Sequence, residues 1–196
     1  MTEIQKLYPI TIGFKNLFIA LSLMLTIASC RKQPQIPQAL INEPENITKV
    51  KLTFTDSANA SSISTASWSD SDGAGGNAPT VNNITLSASK TYFTTIEVLD
   101  ETKNPIAKVS DEIFKEADEH QFFFTKSNVN VAFTYTDADA NGNPLGLKTK
   151  WRTGSNSTGN VSVILKHQPG TKVAAPGDIN AGSTDIDVSF QITINN

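Results

Sequence analysis

Side chains at metal-ligand spacing gather in two stretches of the chain. The first is Asp137-Ala-Asp139-Ala-Asn141-Gly142-Asn143. Oxygen ligands at alternate positions, with a glycine for the sharp turn, are what a Ca²⁺ loop needs. The helix-flanked form of that loop also takes a bidentate glutamate at its twelfth position, which here is Lys148. Asp137, Asp139, Asn141 and Asn143 would therefore make a weak Ca²⁺ site. Asp, Asn and Gly are equally the residues of long strand connections, so both readings stand. The second stretch is Asp118-Glu119-His120-Gln121. The chain has two histidines, His120 and His167. Brought together with Asp118 or Glu119, they could hold Zn²⁺ or Cu²⁺. The competing reading has His120 closing a helix end on a backbone carbonyl.

Catalytic constellations find little support. No Gly-x-Ser-x-Gly elbow and no His-Glu-x-x-His helix occurs. The glycines form no phosphate-cradling loop ahead of a helix. Carboxylates are plentiful but fall in turns, where solvent keeps them ordinary. The expectation is a chain without catalytic residues, and a hydrolase with a carboxylate pair is the lesser alternative. Trp68, Tyr92, Tyr135 and Trp151 suit a core, or else a ligand-facing surface.

Cys30 is the remaining reactive residue and the only cysteine. It follows LFIALSLMLTIAS, with Lys6 and Lys15 ahead of that run. A basic start, a short apolar core and small residues before a cleavage point make a secretory signal peptide. The run from Leu17 to Ser29 is short for a membrane-spanning helix, which needs ~20 residues. Cys30 directly after Ala28-Ser29 resembles the lipobox of bacterial lipoproteins. That resemblance implies cleavage before Cys30, acylation of its thiol and the lipid bilayer as a partner. Several acyl chains anchor a protein far more firmly than one.

Removing residues 1–29 from the 196-residue chain leaves 167, enough for one domain with a single core. The formal charge of the whole chain is −3, and Lys and Arg are scattered singly. Nothing in that pattern suits nucleic acid. With Cys30 acylated, neither a disulfide nor a thiolate metal site is possible. Residues 30–46, with Pro34, Pro37 and Pro44 in polar surroundings, read as a tether between lipid and domain.

From about Ile47 the elements that must position any site are strands. Val50, Leu52 and Phe54 alternate with Lys and Thr, the period of a half-buried strand. Ala66 and Trp68 mark a second strand. Ile84 and Leu86, then Tyr92, Ile96 and Val98, read as a hairpin joined by Ser87–Lys90. Between Val109 and Glu119 the period turns helical, with Ser110 as the start and Asp111 and Glu112 where the macrodipole favours them. Three consecutive phenylalanines, Phe122 to Phe124, suit a strand buried on both faces. Further strands carry Val129, Val131, Phe133 and Tyr135, then Leu147, Thr149 and Trp151, then Val161, Val163 and Leu165. His167 continues the last of these parities. Ile186, Val188, Phe190, Ile192 and Ile194 make the final strand. The expected architecture is all-β: a single antiparallel, immunoglobulin-like β-sandwich over 47–196 with one short helix.

Asp70-Ser-Asp72-Gly73 resembles a turn common in bacterial immunoglobulin-like domains, which sometimes binds Ca²⁺. Five longer runs carry a wider resemblance: SKTYFTTIEVLDETKNP, EADEHQFFF, TYTDADANGNPLGLKT, ILKHQPGTK and TDIDVSFQITI. Together they resemble a family of small, uncharacterised lipoproteins of marine and soil Bacteroidota, across nearly all of residues 30–196. Members sometimes carry a label invoking a type 1 periplasmic-binding fold. That fold is a two-domain α/β protein of roughly twice this length, at odds with the strand periods here. No catalytic residues come with the resemblance. Arg31 and Lys32 directly after the anchor, where surface-exported relatives carry acidic residues, favour an outer-membrane or envelope position facing the periplasm. The expected role is a non-catalytic binding or accessory module of the envelope, with an outer-membrane transporter as partner. A Ca²⁺-stabilised structural or adhesion module is the alternative.

Overall fold

The computed structural model describes residues 45–73 and 75–196. The expected signal peptide 1–29, the expected lipidation site Cys30 and the expected tether as far as residue 44 lie outside the described residues. The chain runs β1 (Lys49–Asp56), β2 (Asn59–Ser69), β3 (Thr80–Asn82), β4 (Ile84–Ser87), β5 (Thr91–Asp100), β6 (Ala107–Lys108), α1 (Val109–Lys115), β7 (His120–Ser127), β8 (Val131–Tyr135), β9 (Lys148–Thr153), β10 (Ser157–His167) and β11 (Ser183–Asn195). Two sheets form. One follows the order β3-β2-β1-β5-β9-β8, with β6 added beside β5, and the other the order β4-β11-β10-β7. Among the described residues no helix is long and apolar enough to cross a membrane.

The alternation read in the sequence becomes the facing surfaces of a sandwich. Val50, Leu52 and Phe54 of β1 and Tyr92, Ile96 and Val98 of β5 are buried on the first sheet. Val161, Val163 and Leu165 of β10 and Val188, Phe190, Ile192 and Ile194 of β11 are buried on the second. Trp151 of β9 is wholly buried between them, edge-on to Phe54 with ring centres 5.1 Å apart. Fully burying a side chain of this size contributes about 1.5–3 kcal/mol, so these two faces supply the main stabilisation. The two-sheet architecture also rules out the α/β arrangement of a periplasmic-binding fold.

Three local expectations are corrected. Ile84–Leu86 and Tyr92–Val98 do not form a hairpin. β4 pairs in parallel with β11, Ile84 opposite Ile192 and Leu86 opposite Ile194, while β5 lies in the other sheet. Ser87–Lys90 therefore turns a corner between layers. The corner is held because the Ser87 N–H donates to the Tyr92 hydroxyl (2.9 Å) and the Thr153 hydroxyl donates to the Ser87 carbonyl (2.7 Å). The parallel pair also means the sandwich is not wholly antiparallel. Third, the helix stops at Lys115 rather than Glu119, and it starts at Val109 behind Lys108 with no side-chain cap, so Ser110 is not its start. A period of 2 names the buried face of a strand but not its partner, which is why the corner read as a hairpin.

Candidate metal centre

His120 opens β7 immediately after a tight turn at the end of α1, where the Glu119 N–H donates to the Glu116 carbonyl at 2.9 Å. The turn brings His120 Nδ1 within 3.2 Å of that same carbonyl. A carbonyl only accepts, so Nδ1 carries the proton and Nε2 presents its lone pair. The helix-end reading of His120 is thus realised on Nδ1, and the metal-ligand reading is open on Nε2.

Two carboxylates from distant segments meet that lone pair. The β10–β11 ladder runs Leu165 opposite Ile186 and then Lys166 opposite Thr184, which leaves Asp185 as an extra residue. Such a bulge re-aims its side chain. Asp185 Oδ2 lies 3.8 Å from His120 Nε2, with the aspartate side chain 8% exposed. Glu45 arrives from the segment entering β1, and its Oε1 is also 3.8 Å from Nε2, with the side chain 9% exposed. That segment is held by Asn46, whose Nδ2 donates to Thr102 Oγ1 (3.2 Å), and by the Thr48 N–H on the Leu99 carbonyl (3.0 Å). Glu45 and Asn46, read as the end of the tether, already belong to the fold. Glu116 Oε2 stands 3.9 Å from Nδ1 at the exposed side. One ligand atom each from Glu45, Glu116 and His120 lies within 4.8 Å of the others.

The electrostatics of this pole are out of balance. Glu45 Oε2, His120 Nε2 and Asp185 Oδ2 are all buried without a hydrogen-bond partner among the described residues. Burial, then the Asp185, Glu116 and Glu112 charges, push the Glu45 carboxyl up to about 7, with His167 opposing. Burial likewise pushes Asp185 up, against His120, His167 and Lys166. Burial pushes His120 down, although its bond to the Glu116 carbonyl works the other way. All three groups are driven towards their neutral forms, and a bound cation reverses that preference for each carboxylate. Holding a cation is the chemistry this arrangement can do.

His167 pairs with His120 across β7 and β10, and the rings stack with centres 4.8 Å apart and 24° between planes. The two histidines therefore do come together. An ion on both lone pairs must lie in both ring planes, and stacked planes do not converge on a point. His167 Nε2 instead meets Glu119 Oε2 at 3.2 Å.

Asp137, Asp139, Asn141 and Asn143 sit in the connection between β8 and β9, closed by the Ala138–Pro144 bridge. The Asp137 carboxylate accepts from the Gly146 and Lys148 N–H groups, both at 2.8 Å. Burial still leaves its carboxyl raised against those bonds. Asp139 Oδ1 accepts from the Asn141 N–H (2.8 Å) and the Asn143 N–H (2.9 Å), and its Oδ2 pairs with Lys172 Nζ at 3.0 Å. Burial pushes Asp139 up, but the Asn143 N–H and the Lys172 ammonium outweigh it and hold the carboxyl low. The positive partners a Ca²⁺ loop takes from its ion come here from the protein itself. Asp72 closes its own turn in the same way, accepting from the Asn77 N–H at 2.9 Å.

Trp151 and Tyr92 are core residues, and Trp68 packs against that core. Tyr135 instead helps Phe123, Phe124, Phe133 and Pro176 line a cavity of ≈ 310 Å³ at the open edge between β7 and β8.

Three members of the candidate metal centre escape a reading of the sequence. Glu116 lies one helical turn before His120, a spacing that puts both on one helical face and could have been noticed. Asp185 sits on the solvent parity of β11 and turns inward only through the bulge. Glu45 follows Pro44 in a stretch with every mark of a linker. Comparison of the chain with protein-family models, with curated proteins and with solved structures finds no match among any of the three.

Proposed function

We propose that this chain is an envelope lipoprotein, anchored through acylated Cys30, whose β-sandwich is a non-catalytic module that binds a cation at the Glu45–His120–Asp185 pole. The observation that carries the reading is that Glu45 Oε1 and Asp185 Oδ2, from two remote segments of chain, each stand 3.8 Å from the buried His120 Nε2, and that Nε2 and Asp185 Oδ2 have no hydrogen-bond partner among the described residues. A buried polar group without a partner costs roughly 1–3 kcal/mol. A buried imidazole nitrogen flanked by two carboxylate oxygens is an arrangement that a cation satisfies at once. The lipobox-like run supports the anchor, and the resemblance to envelope lipoproteins supports an accessory role beside an outer-membrane transporter. A Ca²⁺-stabilised adhesion module is the weaker reading, because the Asp137 and Asp139 oxygens already have partners.

Metal analysis of protein purified without chelator tests the cation, with one equivalent of divalent metal expected. Stripping the metal should lower the melting temperature, since an ion at 100 times its Kd adds about 2.7 kcal/mol to the folded state. Protein that carries no metal and melts identically before and after stripping would sink the reading. The anchor has its own test. Cys30→Ala should move the protein out of the membrane fraction, and an unchanged membrane pool would refute acylation.

A further inference from the structure

We infer that the ion at this pole is a divalent transition metal of the Zn²⁺ class, held by His120 Nε2, Glu45 and Asp185 with Glu116 at the exposed side, and that binding it fastens the segment entering β1 to the four-stranded sheet. This rests on the cation-binding reading above and specifies its ligand and consequence.

The donor set selects the metal. Ca²⁺ takes six to eight oxygens, and a buried imidazole nitrogen in the middle of the site is a poor substitute. Imidazole with carboxylates suits Zn²⁺ and its neighbours in the first transition row. On bonds of ~2.0–2.2 Å, two tetrahedral ligands stand about 3.3–3.6 Å apart. Nε2 stands 3.8 Å from both Glu45 Oε1 and Asp185 Oδ2, so on each of these two pairs the approach to ligand spacing is a few tenths of an ångström. The Glu116 carbonyl on Nδ1 supplies the outer contact that orients a metal-binding imidazole.

The consequence follows from where the ligands sit in the chain. His120 opens β7 and Asp185 lies in β11, both in the four-stranded sheet. Glu45 lies four residues ahead of β1, in the segment that enters the other sheet. Between ionised Glu45 and Asp185 the force is repulsive, and it acts to expel the glutamate. A cation between them makes it attractive. Occupancy therefore decides how firmly the entering segment is held.

The test uses the full chain, stripped with chelator and dialysed, titrated with Zn²⁺ and separately with Ca²⁺. Amide hydrogen exchange over residues 45–48 is followed in both. Expected are one equivalent of Zn²⁺, no uptake of Ca²⁺ at concentrations where weak extracellular sites fill (~1 mM), and slower exchange over 45–48 with Zn²⁺. Glu45→Gln keeps the shape of the side chain. It should weaken Zn²⁺ binding at least ~10-fold and abolish the slowing. Asp185→Asn is the second variant should Glu45→Gln fail to fold, with the same loss of affinity expected. Tight Zn²⁺ binding that Glu45→Gln leaves intact, with exchange unchanged, would overturn the fastening and leave cation binding standing. Ca²⁺ preferred over Zn²⁺ would overturn the metal class alone. No binding of either ion would overturn both this inference and the function proposed above.

Discussion

Lys172 reaches across from the β10–β11 connection to Asp139, and both side chains are almost wholly buried, at 2% and 1% exposure. Its ammonium also donates to the Ala117 carbonyl beyond the end of α1. One lysine thus ties three separate loops together. Breaking a buried pair strands the other charge, so Lys172→Ala should cost about 3–5 kcal/mol in a denaturant melt. A cost under ~1 kcal/mol would mean that Asp139 finds water instead. Lys172→Met/Asp139→Asn, which removes both charges, should cost less than Lys172→Ala. The pH dependence has a definite sign. Asp139 is held below its ordinary value, so its contribution is fully present above the unfolded aspartate value of ~3.9 and fades as pH falls through the lower folded one. Acid titration of wild type against Asp139→Asn should show that loss in wild type only. Because these oxygens are occupied, millimolar Ca²⁺ and Mg²⁺ should leave the melting temperature equally placed. A Ca²⁺-specific rise that Asp137→Asn/Asp139→Asn removes would restore the loop as a Ca²⁺ site.

At the scale of elements, β11 shows both what a strand pattern carries and where it stops. Phe190 is wholly buried as its alternation demands, and Phe190→Ala should cost about 3–5 kcal/mol. Gln191, exposed on the same strand, should tolerate alanine within ~0.5 kcal/mol. Five residues earlier the pattern ceases to be informative. Asp185 follows the solvent parity, yet the bulge opposite Leu165–Lys166 buries it. Gly182 helps set that geometry. Its φ is +69°, and a Cβ there would fall 2.0 Å from the His167 carbonyl oxygen. Gly182→Ala should therefore shift the bulge, costing at least ~1 kcal/mol, a fall of roughly 2–4 °C in melting temperature, and weakening metal binding as well. Unchanged stability and affinity would separate the bulge from the site. The faces of β1, β5, β9, β10 and β11 were legible because each strand is wet on one side. The β4–β11 pairing and Glu45's place beside His120 were not, because both depend on contacts between residues far apart in sequence. His120 and His167 were legible as candidates, and their cross-strand pairing agrees with the parity of β10. Their ring stacking, which turns Nε2 of one towards carboxylates and of the other towards Glu119, is a tertiary outcome that no spacing encodes.

For the molecule as a whole, a sandwich needs its two sheets held in register, and the apolar core does most of that. At the pole of His120 the segment entering the seven-stranded sheet, the start of β7 and the bulge of β11 meet, and a cation bound there, as proposed above, would add a second link of another kind. Anomalous diffraction at the zinc absorption edge, from crystals grown with Zn²⁺, tests this account most directly. It predicts one strong peak about 2.0–2.2 Å from His120 Nε2 and from carboxylate oxygens of Glu45 and Asp185. A map with no peak there, or with its principal peak in the Asp137–Asn143 loop, would contradict it.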